Sequence, residues 1–267
     1  MSVWIGTGGV PITSKNRSTI SGLERIYELG LNAMEVEFVH GVNMKKEMAS
    51  EVGKVAKDLN IKLSIHAPYY INLTSSDKKK VEDSKKRILN SCELGHEMGA
   101  KIVVFHPAYY GKLSKEECYQ IVKKECEEMI DILKSKGISD VLLGLETTGK
   151  KSQFGDLDEC LKIAKEVNGC SVTVDWAHIY ARNGGEINFK EIIDKVLKSK
   201  INHIHTHFSS INFSDKGERN HLTLDFKQPD YRDLVKEIKS RKIDITLISE
   251  SPNLEEDAMK LKKMIFG

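Results

Sequence analysis

Short apolar runs alternate with amphipathic stretches along the whole chain. The runs fall at residues 3–6, 33–38, 62–66, 102–106, 141–146, 171–175, 203–207 and 245–250, each four to six residues long and rich in Val, Ile, Leu or Phe. Runs of that kind predict strands covered on both faces. Helices are predicted at 18–29, 44–59, 77–98, 189–199 and 231–241 from their apolar stripes. Ser114 with Glu117 forms a capping-box pattern, in which each side chain satisfies a backbone N–H at the helix start. The helix that follows is expected to bury Cys118, Ile121, Val122, Met129, Ile132 and Leu133 and to stop at Gly137. Asp156 with Glu159 repeats the start signal, ahead of Leu157, Leu161, Ala164 and Val167 and a stop at Gly169. Asn253 with Glu256 is expected to open the last helix, which carries Ala258, Leu261, Met264 and Ile265.

Strand then helix, eight times, with no long linker or break in composition, predicts an α/β fold: a single-domain (β/α)8 TIM barrel over residues 1–267. An open doubly wound sheet would carry a Gly-rich phosphate fingerprint leading into a helix. Ile5-Gly-Thr-Gly-Gly9 is followed by Val10 and Pro11 instead, so it reads as the first strand-to-helix loop, with phosphate contact through its N–H groups as the alternative.

Composition narrows the class. The 267 residues are 40% hydrophobic and 30% charged, with a formal charge of +2, which suits an ordinary soluble globular chain able to bury a large core. The weakly basic balance permits a nucleic-acid partner without requiring one. No apolar stretch reaches the roughly 20 residues a membrane helix needs, and the start MSVWIGTGG lacks the basic and apolar segments of a secretory signal. The expectation is a cytoplasmic monomer that does not engage membranes, its five cysteines present as free thiols.

Polar residues at the C-terminal ends of barrel strands form the active site in this architecture. Here the predicted strands end in His66, His106, Glu146, Asp175 and Glu250, the seventh carries His203, His205 and His207 on one face, and the second adds Glu35 and Glu37. Any one of these, taken alone, is most simply a side chain bonded to a neighbouring loop. Together they would crowd buried carboxylates and imidazoles at one mouth, which needs compensating charge. Divalent cations provide it, and mixed His and carboxylate donors suit zinc or manganese. Asp175-Trp-Ala-His178 sets a His one turn beyond the Asp, and Arg219-Asn-His221 lies in a polar loop, 214–226, long enough to fold over the mouth.

The segments His66-Ala-Pro-Tyr-Tyr-Ile-Asn-Leu73, Val104-Phe-His-Pro107, Leu145-Glu-Thr-Thr148, Asp175-Trp-Ala-His178, His205-Thr-His-Phe-Ser209 and Ser249-Glu-Ser-Pro252 resemble endonuclease IV, the zinc-dependent apurinic/apyrimidinic endonuclease of the xylose-isomerase-like barrels. The resemblance spans the chain, with motifs on six strands in order. It implies three metal ions: one held by His66, His106 and Glu146; a second, bridged by Glu146, held by Asp175, His205 and Glu250; a third held by His178 and His221. The family completes the third site with an Asp two residues before the last His. Here that position is Arg219, which cannot ligate a cation. Either Glu218 or His207 substitutes, or the charge of Arg219 replaces the ion and the centre holds two metals. The resemblance further implies hydrolysis of the phosphodiester 5′ to an abasic site in double-stranded DNA by a hydroxide bridging two metals, with Glu146 holding the ion pair and Glu250 orienting the nucleophile. Tyr69 and Tyr70 fit the role of wedges in the base stack.

Two other readings use the same residues. A sugar isomerase or epimerase on this barrel needs one ion, held by a Glu, an Asp, a His and a Glu after strands five to eight. The extra His66, His106 and His221 over-supply such a site and favour the nuclease, whereas Arg219, the modest charge and the scarcity of Arg (seven residues) favour the epimerase. A barrel that binds metal or nucleic acid without turnover is the third reading.

Overall fold

The computed structural model describes residues 2–241 and 243–267. Eight parallel strands close into a barrel: Val3–Gly8, Ala33–Glu37, Lys62–His66, Ile102–Phe105, Leu142–Glu146, Cys170–Asp175, Ile204–Phe208 and Ile245–Ser249. Each lies beside its neighbour in sequence, and the eighth pairs with the first from Val3↔Ile245 to Thr7↔Ser249. The predicted strands match to within two residues. His106 and Glu250 fall one residue past their strands, where the chain already turns into the loops of the mouth.

The main core lies between the strands and the helices packed around them, with Leu23, Ile88, Met129, Ile163, Trp176 and Leu261 all fully buried. Both predicted capping boxes form, at Ser114/Glu117 and at Asp156/Glu159. In the helix Lys115–Ser135 the buried stripe runs Cys118, Val122, Cys126, Met129 and Leu133, in steps of four, four, three and four. Ile132 lies off that stripe and is 36% exposed, while Tyr119 and Ile130 are buried.

The expected cap at Asn253 does not form. The chain makes a tight turn in which the N–H of Asn253 donates to Ser251 Oγ at 3.2 Å, and Leu254 takes φ of 34° before the helix Glu255–Phe266 begins. All five cysteines are free and buried. Among the described residues no helix is long and apolar enough to cross a membrane.

Three small elements extend the loops at the mouth. They are a seven-residue helix, Trp176–Arg182, the paired strands Ala108–Tyr109 and Gln153–Phe154, and a hairpin of Ser210–Ser214 with Gly217–Leu222. The hairpin lies where the sequence predicts a polar loop folding over the mouth.

Candidate metal centre

Glu146, the last residue of the fifth strand and wholly buried, is the hub of the mouth. One carboxylate oxygen lies 3.2 Å from His66 Nε2 and 2.9 Å from His106 Nε2. The other lies 3.2 Å from His178 Nδ1 and 3.3 Å from His207 Nδ1. Two groups of donor atoms share it, His66–His106–Glu146 and Glu146–Asp175–His207–Glu250, each with its ligand atoms within 4.8 Å of one another.

The histidine of the second group is His207; His205, expected there, falls instead in a neighbouring group with Glu35 and His207 whose donor atoms also lie within 4.8 Å of one another. The seventh strand runs to Phe208, and its register sets Asp175 beside His207 and Thr173 beside His205. His207 Nδ1 therefore reaches Glu250 Oε1 at 3.2 Å, whereas His205 sits one layer deeper with Nε2 2.9 Å from Glu35 Oε2. A period of two gives the face a residue occupies but not its depth, so the sequence left both in play. His203 precedes the strand and lies toward the opposite end of the barrel, against Lys62 and Thr246. Glu35 is a participant that sequence reasoning left without a role: fully buried, it approaches His205 through one oxygen and His207 Nε2 through the other, at 2.8 Å.

Asp175 divides its carboxylate. Oδ1 accepts the N–H of His178 at 2.6 Å and so caps the helix Trp176–Arg182, which explains why a helix starts there and why His178 turns back over the mouth. Oδ2 is buried without a hydrogen-bond partner. His178 Nε2 meets Glu218 Oε2 at 3.0 Å, and its ring lies 5.4 Å from that of His221.

A β-bulge brings Glu218 and His221 together. The hairpin pairs Asn212 with Asn220 and Phe213 with Glu218, leaving Arg219 as the extra residue. A bulge shifts the alternation by one, so residues three apart, Glu218 and His221, share the inner face and Arg219 is exposed. Space for Glu218 comes from Gly149, where a Cβ would stand 2.2 Å from Glu218 Oε2. Gly217 crosses the backbone of Gly149 and Lys150 at φ of 103°, an approach no side chain would allow.

Three of the histidines also meet a neutral oxygen: for His66 and His221 it holds one nitrogen while the other faces a carboxylate, and for His178 it shares Nδ1 with Glu146. His66 Nδ1 lies 2.8 Å from the Ala67 carbonyl, His178 Nδ1 3.0 Å from the Thr147 carbonyl, and His221 Nδ1 2.7 Å from Ser209 Oγ. His207 has carboxylates on both sides, Glu35 near Nε2 and Glu146 and Glu250 near Nδ1. Ligating histidines are oriented in this way by outer partners.

Electrostatics point in the same direction. Burial opposes charge on His66, but Glu37 and Glu146 outweigh it and push its pKa up to about 10. His178 and His207 are likewise raised against burial by the carboxylates around them. For Glu218, burial is overcome by His178 and the pKa falls to about 2. Burial, strengthened by the charge of Glu146, raises both Asp175 and Glu250. The cluster thus calls for positive charge, supplied by protons on the imidazoles or by cations in their place. The oxygens Asp175 Oδ2 and Glu218 Oε2 and the nitrogen His207 Nε2 lack aligned hydrogen-bond partners despite close neighbours. For the two oxygens this suits donors aimed at cations, and the nitrogen and oxygen donor set fits zinc or manganese.

Of these groups, Glu35, His66, His106, His178, Glu218, His221 and Glu250 line a cavity of about 740 Å3. Gly8, which ends the first strand, and Gly9 beyond it form one wall, and Arg17, Tyr69, Tyr109 and Lys150 stand around it. Tyr69 is 58% exposed with its ring 5.8 Å from that of His66. Tyr70 is 65% exposed and lies outside the cavity lining. Tyr109, Arg17 and Lys150 were not singled out from the sequence, since nothing in their spacing marks them.

Comparison with known proteins fits this architecture. An uncharacterized protein of Methanocaldococcus jannaschii, MJ0133, is 41% identical over 266 residues, covering 97% of this chain and 95% of that protein. A protein named probable endonuclease 4, from Aquifex aeolicus, is 28% identical over 191 residues, 70% of this chain and 65% of that one. Among solved structures, a D-tagatose 3-epimerase-like protein superposes with a TM-score of 0.74 at 20% identity, covering 99% of this chain and 96% of the other. Endonuclease IV from Thermus thermophilus gives 0.73 at 18% identity, covering 97% of each. At such identities the structural likeness speaks to the fold alone. A family model described as xylose isomerase-like TIM barrel matches residues 23–265, and this chain belongs to that family.

Proposed function

We propose that this chain is a divalent-metal-dependent endonuclease that hydrolyses the phosphodiester on the 5′ side of an abasic site in double-stranded DNA. Zinc is the expected metal and manganese the alternative. The observation that carries this reading is the surplus of donors around Glu146. His66, His106 and Glu146 would hold one ion, Glu146, Asp175, His207 and Glu250 a second, and His178, Glu218 and His221 a third. An enzyme working through one ion has no use for the first and last of these groups.

Bound divalent ions would supply Lewis acidity and a source of hydroxide near neutral pH. The chain's own groups do the rest. Glu250, with 18% of its side chain exposed, faces the cavity and can orient an attacking water by accepting its hydrogen. Arg17 and Lys150 bring positive charge to the wall, where a phosphate would lie. Tyr69 offers a ring on which an unstacked base or sugar can rest, and the exposed Tyr70 contacts the duplex outside. A sugar without its base breaks no pairing when it leaves the helix, which favours abasic substrates.

A second reading is supported by one feature: Glu146, Asp175, His207 and Glu250 suffice for the single ion of a sugar epimerase. One assay separates the two. The metal-loaded protein is incubated with a duplex carrying one abasic site, with His106→Ala as control. A metal-dependent nick 5′ to the lesion, lost in the control, is expected. No nick, together with turnover of a ketose, would move the assignment to the epimerase.

A further inference from the structure

The loop between the first strand and the helix Thr19–Glu28 has little main-chain bonding of its own. Among the described residues, the one backbone-to-backbone bond within 10–17 runs from the N–H of Ser14 to the Pro11 carbonyl, at 3.2 Å. The loop is held instead by Glu255, the first residue of the last helix. Glu255 Oε2 accepts the N–H of Ile12 at 2.9 Å, and Oε1 accepts the N–H of Thr13 at 2.7 Å and its hydroxyl at 2.9 Å. Glu255 is buried while Ile12 and Thr13 are exposed, so their N–H groups turn inward to the carboxylate. Burial opposes its charge, but these hydrogen bonds outweigh it and hold the pKa below the usual carboxylate range.

The consequence falls on Arg17. A trans peptide unit points its N–H and its C=O in opposite directions. The unit that gives the Ile12 N–H to Glu255 therefore turns the Pro11 carbonyl the other way, and that carbonyl receives Arg17 Nη1 at 3.1 Å. Arg17 stands on the wall of the metal cavity, and the Pro11 carbonyl is its one hydrogen-bond partner among the described residues. Lys150, on the same cavity, lies by contrast 3.6 Å from Glu218 Oε1. The guanidinium keeps its remaining donors for a ligand, and its planar fork suits a phosphate.

We infer that Glu255 is a positioning residue for substrate: by fixing the peptide between Pro11 and Ile12 it holds the Arg17 guanidinium where a phosphate of the bound strand meets it. This role rests on the proposed action on DNA. It belongs to a residue that lies outside the cavity lining and in none of the donor groups of the metal centre.

The test follows nicking of a duplex with one tetrahydrofuran abasic site by the full, metal-loaded chain, from about 50 to about 200 mM salt. Arg17→Met should raise KM roughly tenfold, as loss of a charge-assisted hydrogen bond does, and lower the slope of log KM against log salt by about one. Glu255→Gln keeps the shape but turns an amide donor toward one of the two N–H groups. It should raise KM roughly three- to tenfold, with the change in KM and not in kcat, and lower the slope in the same way. Glu255→Asp, its carboxylate drawn back by one methylene, provides a second variant with the same expectation. In Glu255→Gln combined with Arg17→Met, KM should match that of Arg17→Met alone, because both changes remove one contact. A merely structural role would lower kcat or the metal count and leave the slope alone. That outcome, additive effects in the double variant, or the parent's KM and slope in both Glu255 variants overturns the role while the nuclease reading stands. A parent chain that does not nick the duplex overturns both.

Discussion

Glu35 decides how His207 meets the centre. By approaching Nε2 it leaves Nδ1 to face Glu146 and Glu250, and its second oxygen ties down His205 below. Replacement of such an outer carboxylate typically weakens metal binding 10–100-fold. Glu35→Gln should therefore bind Zn2+ or Mn2+ roughly 10–100-fold more weakly by calorimetry while keeping its circular dichroism. An unchanged affinity would remove Glu35 from the centre. A paired experiment separates the two histidines: His207→Asn should lose an equivalent of metal, and His205→Asn should keep full stoichiometry at reduced affinity. The residue types of this site were legible in the sequence because His and Glu stand out at the ends of apolar runs. The depth of each residue was not, because it depends on the strand running to Phe208 and on the register that sets Asp175 beside His207.

At the scale of elements, the capping boxes and the strands were legible because local chemistry sets them. The hairpin of Ser210–Ser214 and Gly217–Leu222 was not, since its strands lack the apolar alternation that marks a buried face and its bulge depends on pairing. That bulge has a testable consequence. Position 219 is where the resemblance to endonuclease IV expects an aspartate, but its side chain faces solvent. Arg219→Asp should leave the number of bound metals unchanged, whereas Glu218→Gln should lower it by one, as counted by plasma emission on dialysed protein. A gain of metal in Arg219→Asp would mean that the hairpin is paired without the bulge. Gly149→Ala, which places a methyl against Glu218 Oε2, should reproduce the loss seen in Glu218→Gln without removing any ligand.

At the scale of the molecule, eight repeats of strand and helix made the barrel legible, since no other closed arrangement accommodates them. What the repeats could not convey is that the interior is polar along much of its length, with Ser64, Thr173, His205 and Thr246 buried beneath the mouth. His203, half-buried at the foot of this column, makes stability depend on pH. Burial, helped by the charge of Lys62, lowers the pKa of His203 to about 4, against about 6.5 in the unfolded chain. Between those values the unfolded state takes up the proton and the folded state does not, so stability falls as pH drops from about 6.5 to about 4. Urea midpoints across this range should fall less steeply in His203→Gln than in the parent chain, and identical slopes would show that His203 carries no such linkage. The hairpin has a different kind of consequence. It carries Glu218 and His221, but none of the four donors supplied by the ends of strands five to eight, and it stands outside the closed barrel. A lineage could therefore gain or discard this one insertion, and with it a whole ion position, while the ancestral centre and the folding core descend unaltered.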